Sequence, residues 1–248
     1  MTAWKKKNIT SYYIKNRSSF NELYLSETKL LTKLKNKKIN KILDFGCATG
    51  NLYKVFKKMF KNIEYTGIDI EKEMIKNAVK IFKKDNKVKF ILSKKKKLPF
   101  KNNYFDFTFC TSVLHHVKEY KKIIEELTRV SSKYIFIDSP RVHFKNDIVG
   151  SMNLDKRFDT KKIKKNNVDY YVVNLKKYLI FIKKLIKKYK IKKAYFFCNK
   201  LPYSKEYMSF KNEIFYMTVL LIKSNKQDNF NKFIFTQNKK IKKFFSGV

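Results

Sequence analysis

Glycine, proline, cysteine and arginine are all scarce in this 248-residue chain. It has 5 glycines, 3 prolines and 3 cysteines, and only Arg17, Arg129, Arg141 and Arg157 stand among its 59 basic residues. With so little proline there is no proline-rich linker, and no internal repeat is visible, so one domain-sized unit is expected. Cys47, Cys110 and Cys198 are odd in number and contain no CxxC pair, which argues against a disulfide framework and against a zinc site. No metal is expected. No stretch approaches the roughly 18 apolar residues of a membrane span, and the amino terminus lacks the apolar core of a signal peptide. A cytoplasmic protein is the expectation.

What is abundant is lysine, and with it a formal net charge of +39. Such a charge attracts anions and raises the question of a nucleic-acid partner. The composition answers against it. Phosphate and base-edge recognition favours the rigid fork of arginine, whereas here scattered lysines accompany a general excess of Asn, Ile, Phe and Tyr, all residues with AT-rich codons.

Apolar runs at 41–45, 63–70, 88–92, 105–111 and 134–137 alternate with helical patterns at 52–60, 71–84 and 120–130, and a helix over 18–37 leads into the first run. That alternation predicts a Rossmann-like, doubly wound α/β fold with a mostly parallel sheet and helices on both faces. Residues 139–169 break the rhythm and read as an irregular insertion capping the carboxyl edge of the sheet. Within it Arg141 reads as a surface arginine, with pairing to an acidic or phosphorylated acceptor as the alternative. A basic amphipathic helix at 174–189 fits the sheet face, with contact to an anionic membrane as the alternative. Strands at 193–198 and 214–222 follow. The domain is expected to span 1–225, leaving 226–248 as a loose or disordered basic tail.

The chemistry is concentrated in Lys41-Ile-Leu-Asp-Phe-Gly-Cys-Ala-Thr-Gly-Asn51, an apolar strand that ends in Asp44 and enters a turn bracketed by Gly46 and Gly50. Such a turn brings backbone amides to a ligand at a helix amino terminus. Asp69 follows at the tip of the next strand, spaced to accept two ribose hydroxyls. No Gly-x-Gly-x-x-Gly triplet is present, and an acid two residues before Gly46 opposes a pyrophosphate but suits a cationic group.

The 43–50 loop, Gly67-Ile-Asp-Ile70, Leu98-Pro-Phe100 with Tyr104-Phe-Asp106, and Leu114-His-His-Val117 together resemble the class I S-adenosylmethionine-dependent methyltransferases, closest to the branch of quinone and sterol methylases. The resemblance covers about residues 41–138. It implies a seven-stranded sheet with the last strand antiparallel and S-adenosyl-L-methionine as cofactor. Asp44, Gly46, Cys47 and Gly50 would hold the methionine end, Asp69 the ribose and Ile70 the adenine. Ser93 would stand in as an adenine contact, and Thr111 would line the floor near the sulfonium. Ala48 replaces a usual glycine, and Lys94 falls where an acid often accepts the adenine amino group. His115 and His116 are candidate bases, and Tyr12 and Tyr13 candidate lids. The expected activity is methyl transfer to oxygen or nitrogen of a small-molecule or glycan-precursor acceptor. Two further readings are an RNA methyltransferase, which rests on charge alone, and a non-catalytic cofactor-binding or membrane-associated partner protein.

Overall fold

The computed structural model describes residues 4, 7–95, 97–138, 140–157, 167–201, 209, 213–224 and 229–245. Two helices precede the sheet, α1 (Lys7–Lys15) and α2 (Leu25–Leu31), the second flanked by 3-10 turns at Phe20–Glu22 and Thr32–Leu34. Strands and helices then alternate: β1 (Lys41–Phe45), α3 (Leu52–Met59), β2 (Glu64–Asp69), α4 (Lys72–Ile81), β3 (Val88–Leu92), β4 (Phe105–Cys110), α5 (Tyr120–Val130) and β5 (Ser131–Asp138). The 139–169 region contributes β6 (Arg141–His143), β7 (Ile148–Asn153) and α6 (Leu154–Arg157), and β8 (Asn167–Asn174) closes it. Last come α7 (Leu175–Lys188), β9 (Ile191–Lys200), β10 (Phe215–Lys223), β11 (Asn231–Phe235) and α8 (Lys239–Phe245).

The sheet runs β3-β2-β1-β4-β5-β10, with β9 beyond β10. The first five strands are parallel, and β10 is antiparallel to both β5 and β9. These seven strands are the expected core, and the other four extend it. Side chains alternate across the sheet as a period of two requires. Leu43, Ile135 and Ile137 face the cluster under α5, α7 and α8, while Ile42, Phe107, Phe109 and Phe136 face the cluster under α2 and α3. The Leu98-Pro99-Phe100 segment is stitched to α5: Leu98 N–H donates to Glu126, and Arg129 donates to the carbonyls of Leu98 and Phe100.

Two stretches differ from the sequence expectation. Among its described residues the 139–169 insertion is not irregular: β7 pairs antiparallel with β8, β8 lies parallel to β6, and β6 meets β10. Its Met152 and Leu154, with Tyr170 and Val172 of β8, pack with Ile9 of α1, Met74 of α4 and Ile214 in a third cluster. The stretch expected as a loose tail supplies β11, parallel to β9, and α8, whose Ile241 and Phe245 are fully buried one turn apart on one face. Residues 226–228 and 246–248 of that stretch lie outside the described residues. No helix among the described residues is long and apolar enough to cross a membrane.

Candidate active site

β1 carries Asp44 as its next-to-last residue, and beyond Phe45 the chain turns through Gly46 (φ +79°), Ala48 (φ +48°) and Gly50 (φ +76°). Gly46 is required twice over. Its φ suits glycine, and a Cβ there would stand 2.2 Å from Val113 Cγ2. At Gly50 a Cβ would meet the Phe90 ring at 2.5 Å. Hydrogen bonds from the β2 end fix the turn: Gly46 and Cys47 N–H donate to the Ile68 carbonyl at 2.7 and 3.0 Å. Ala48 N–H donates to Asp69 Oδ2 at 2.9 Å, and Glu71 N–H to Asp69 Oδ1 at 2.9 Å. A left-handed alanine costs roughly 1–2 kcal/mol, and here that conformation aims its N–H at a carboxylate, which offsets the strain.

Above the turn lies a cavity of about 300 Å³. Its floor is the 45–49 loop, its β2 side is Asp69, Ile70 and Glu71, and Ser93 to Lys95 close the edge beyond β3. Thr111, Ser112, Val113 and His116 form the β4 side, and Trp4, Tyr12, Tyr13, Arg17 and Arg157 the remaining wall. Of the residues singled out in the sequence, Gly46, Cys47, Asp69, Ile70, Ser93, Thr111 and His116 meet in this one space, as do Tyr12 and Tyr13. Ile70 is half exposed there.

Asp44, Gly50 and His115 do not line it. Asp44 is buried beneath the loop and accepts the Tyr65 hydroxyl; burial pushes its carboxyl up to about 7, against the pull of that hydrogen bond and of Arg17. Gly50 serves the turn. His115 is buried with its ring 5.0 Å from Tyr170, and loss of solvent holds its imidazole well below the usual range, so it stays neutral. His116 faces the cavity. Its Nδ1 lies 2.7 Å from the Asp169 carbonyl. A carbonyl only accepts, so Nδ1 carries the hydrogen and Nε2 keeps the lone pair. Burial lowers this imidazole to about 4.

Burial likewise raises Asp69, opposed by its backbone N–H partners. Each of its oxygens accepts one N–H and retains a second acceptor site. Two adjacent hydroxyls fit that remaining capacity, a half-exposed Ile70 offers an apolar wall for a flat base, and the glycine turn leaves backbone within reach of a chain. The cavity therefore fits an adenosyl-amino-acid cofactor. Ser93 Oγ accepts the N–H of Lys95 at 3.2 Å.

Several residues were missed in the sequence. Arg17 reaches into the cavity: its Nη2 donates to Glu27 Oε1 at 2.7 Å and to Thr111 Oγ1 at 3.3 Å, and its guanidinium lies 5.0 Å from the Tyr24 ring centre. Asn51 Nδ2 donates to the carbonyls of Tyr13, Ile14 and Asn16 at 2.7, 2.8 and 2.9 Å, and Thr49 Oγ1 to that of Tyr13 at 2.7 Å. These bonds satisfy carbonyls at the end of α1 and tie the roof to the turn. Arg141 is not a surface residue. It is buried, with Nη1 donating to both oxygens of Asp138 at 3.2 Å and Nε to the Tyr170 hydroxyl at 3.1 Å.

Residues 43–134 match the profile of the methyltransferase-domain family. A protein of Methanocaldococcus jannaschii is 34% identical over 129 residues, 51% of this chain and 52% of that protein. Norajmaline N-methyltransferase of Rauvolfia serpentina is 31% identical over 100 residues, 39% of this chain and 34% of that enzyme. The fold is that of a solved S-adenosylmethionine-dependent methyltransferase from Aquifex aeolicus, with a TM-score of 0.50 at 20% identity over 89% of this chain and 100% of that one. Residues 43–134 are thus similar to the methyltransferase-domain family, and the fold is that of S-adenosylmethionine-dependent methyltransferases. It spans about a third to a half of the length of the curated relatives it matches.

Proposed function

We propose that this protein transfers a methyl group from S-adenosylmethionine to an oxygen or nitrogen of a small-molecule acceptor. The observation that carries this reading is the single cavity shared by the glycine turn, Asp69 and His116. When bound, the cofactor supplies an electrophilic methyl on a sulfonium. Asp69 accepts its ribose hydroxyls, Ile70 lies along its adenine, and backbone of the 45–49 loop with Arg17 takes its amino-acid end, the guanidinium facing the carboxylate. In-line displacement depends mainly on alignment. Thr111 and the wall of Trp4, Tyr12 and Tyr13 hold the acceptor and exclude water, and His116 Nε2 takes the proton of an acceptor that still carries one. The products are the methylated acceptor and S-adenosylhomocysteine.

The test is incubation with methyl-labelled S-adenosylmethionine and a cell extract separated into low-molecular-weight and RNA fractions. Label should enter the small-molecule fraction with wild type and fall to background with Asp69→Ala. Label confined to RNA, or none in either fraction, overturns the proposal.

A further inference from the structure

Asp138, the last residue of β5, does not line the cavity, and neither do Arg141 and Tyr170. Asp138 nevertheless reaches both halves of the His116 site. Its Oδ2 accepts the Ser112 N–H at 3.3 Å, which holds the left-handed Ser112 (φ +57°) two residues before the Leu114–His116 turn. Both its oxygens accept from Arg141 Nη1 at 3.2 Å, and Arg141 Nε donates to the Tyr170 hydroxyl at 3.1 Å. In β8, Tyr170 follows Asp169, the residue whose carbonyl accepts His116 Nδ1–H at 2.7 Å. The imidazole and its partner are thus tied to one carboxylate. Around the His116 ring stand Trp4, His115 and Tyr170, with ring centres at 5.1, 4.2 and 5.6 Å. His115 packs without holding, since its buried Nδ1 has no hydrogen-bond partner among the described residues. Burial is the main reason that His116 stays neutral; charge then acts on it from Arg141 of β6 and Arg157 of α6, against the cation, and from Asp169 of β8, in favour of it.

We infer that Arg141 is a positioning residue for His116: by bridging Asp138 to Tyr170 it fixes β8, so that the Asp169 carbonyl selects the Nδ1–H tautomer and leaves Nε2 as the proton acceptor. Either nitrogen of a neutral imidazole can carry the hydrogen, and a base that works through Nε2 needs it on Nδ1. A carbonyl out of hydrogen-bond reach no longer makes that choice. The guanidinium suits the task, because its rigid fork serves a carboxylate and a hydroxyl at once while buried. The cap thereby acts on the reaction through the base as well as covering the site. This rests on the reading of His116 as the base of the proposed methyl transfer, and adds the residue that keeps it competent.

The chain has 3 histidines, so nitrogen NMR of histidine-labelled full-length protein at about pH 8, where a free imidazole is neutral, reads the tautomer of each without cofactor or acceptor. His116→Gln and His143→Gln assign the signals. Wild type should show His116 as Nδ1–H. His143, at the end of β6, is the internal control: its Nδ1 accepts the N–H groups of Lys145 and Asn146, so it should stay Nε2–H in every variant. Arg141→Gln should move the His116 tautomer ratio at least about fivefold toward Nε2–H, as loss of one hydrogen bond implies, and raise its titration midpoint from about 4 toward the usual 6.5. Because that variant leaves Asp138 buried without its cation, the double variant Asp138→Asn/Arg141→Met removes both charges and should fold with the same tautomer shift. An unchanged His116 tautomer in either folded variant, even with lowered stability, would leave Arg141 a structural role only and overturn the proposal, as would a wild-type His116 in the Nε2–H form. Failure of wild type to bind S-adenosylhomocysteine strikes the methyltransferase reading instead, and the tautomer result stands apart from it.

Discussion

Replacing Gly46 with alanine tests the turn on which the site is built. Two costs are expected, and they are separable. At φ +79° an alanine pays about 1–2 kcal/mol in backbone conformation. Its Cβ would also lie 2.2 Å from Val113 Cγ2, an overlap that forces Val113 or the loop to move at about 1–3 kcal/mol. Gly46→Ala should therefore lose about 2–5 kcal/mol in urea unfolding followed by circular dichroism. Truncating Val113 removes the clashing methyl and leaves its Cβ at 3.5 Å, an ordinary contact. In a Val113→Ala background the Gly46→Ala cost should shrink to the conformational part, giving a favourable coupling of about 1–3 kcal/mol in a double-mutant cycle. Additive losses would refute the packing half of the argument, and a neutral Gly46→Ala would refute both halves.

Asp44 predicts a pH dependence. Its folded carboxyl titrates near 7 against 3.8 unfolded, so the folded state binds the proton more tightly and stability falls as pH rises between about 4 and 7. Asp44→Asn should remove that slope, a difference of up to about 4 kcal/mol across the window, read by comparing urea midpoints of the two proteins at pH 4 and pH 7.5; parallel profiles would contradict it. His116 titrates near 4, so methyl transfer should be flat above about pH 5 with one acid limb below. His116→Ala should lower kcat on the order of a hundredfold for an acceptor that carries its proton with little change in S-adenosylhomocysteine affinity by calorimetry. Phe245→Ala should destabilise the protein by about 3–5 kcal/mol, because this fully buried ring sits 5.0 Å from Phe196; a change under 1 kcal/mol in chemical unfolding would show that α8 is not part of the core.

The parallel strands from β1 to β5 were legible because each is an apolar run followed by a helix with one apolar face. Asp69 and the glycine turn were legible because their spacing is set by a single βα unit. The cap was not. β7 carries Gly150, Ser151 and Asn153, and β8 carries Asp169 among its tyrosines and valines, so neither alternates cleanly, and their pairing is long-range. α1 is nine residues long, and little beyond Ile9 and Tyr13 marks its inner face. In the carboxyl-terminal stretch lysines on every side masked two regular signals. One is the i, i+4 pair Ile241 and Phe245, and the other is the alternation of Phe233 and Phe235, which both stack on Tyr195. The scarcity of arginine held more information than its charge. Arg17, Arg129 and Arg141 each bind two or more partners through the guanidinium fork, and Arg157 enters the cavity. In a chain so rich in lysine, these are the places where a point charge does not suffice.

The most direct test of the cavity as a cofactor site is calorimetric titration of S-adenosylhomocysteine into wild type and Asp69→Ala. Wild type should bind one molecule per chain, and loss of two hydroxyl partners at a carboxylate should weaken Asp69→Ala on the order of a hundredfold. No binding by wild type, or equal affinity in the two proteins, would contradict the account.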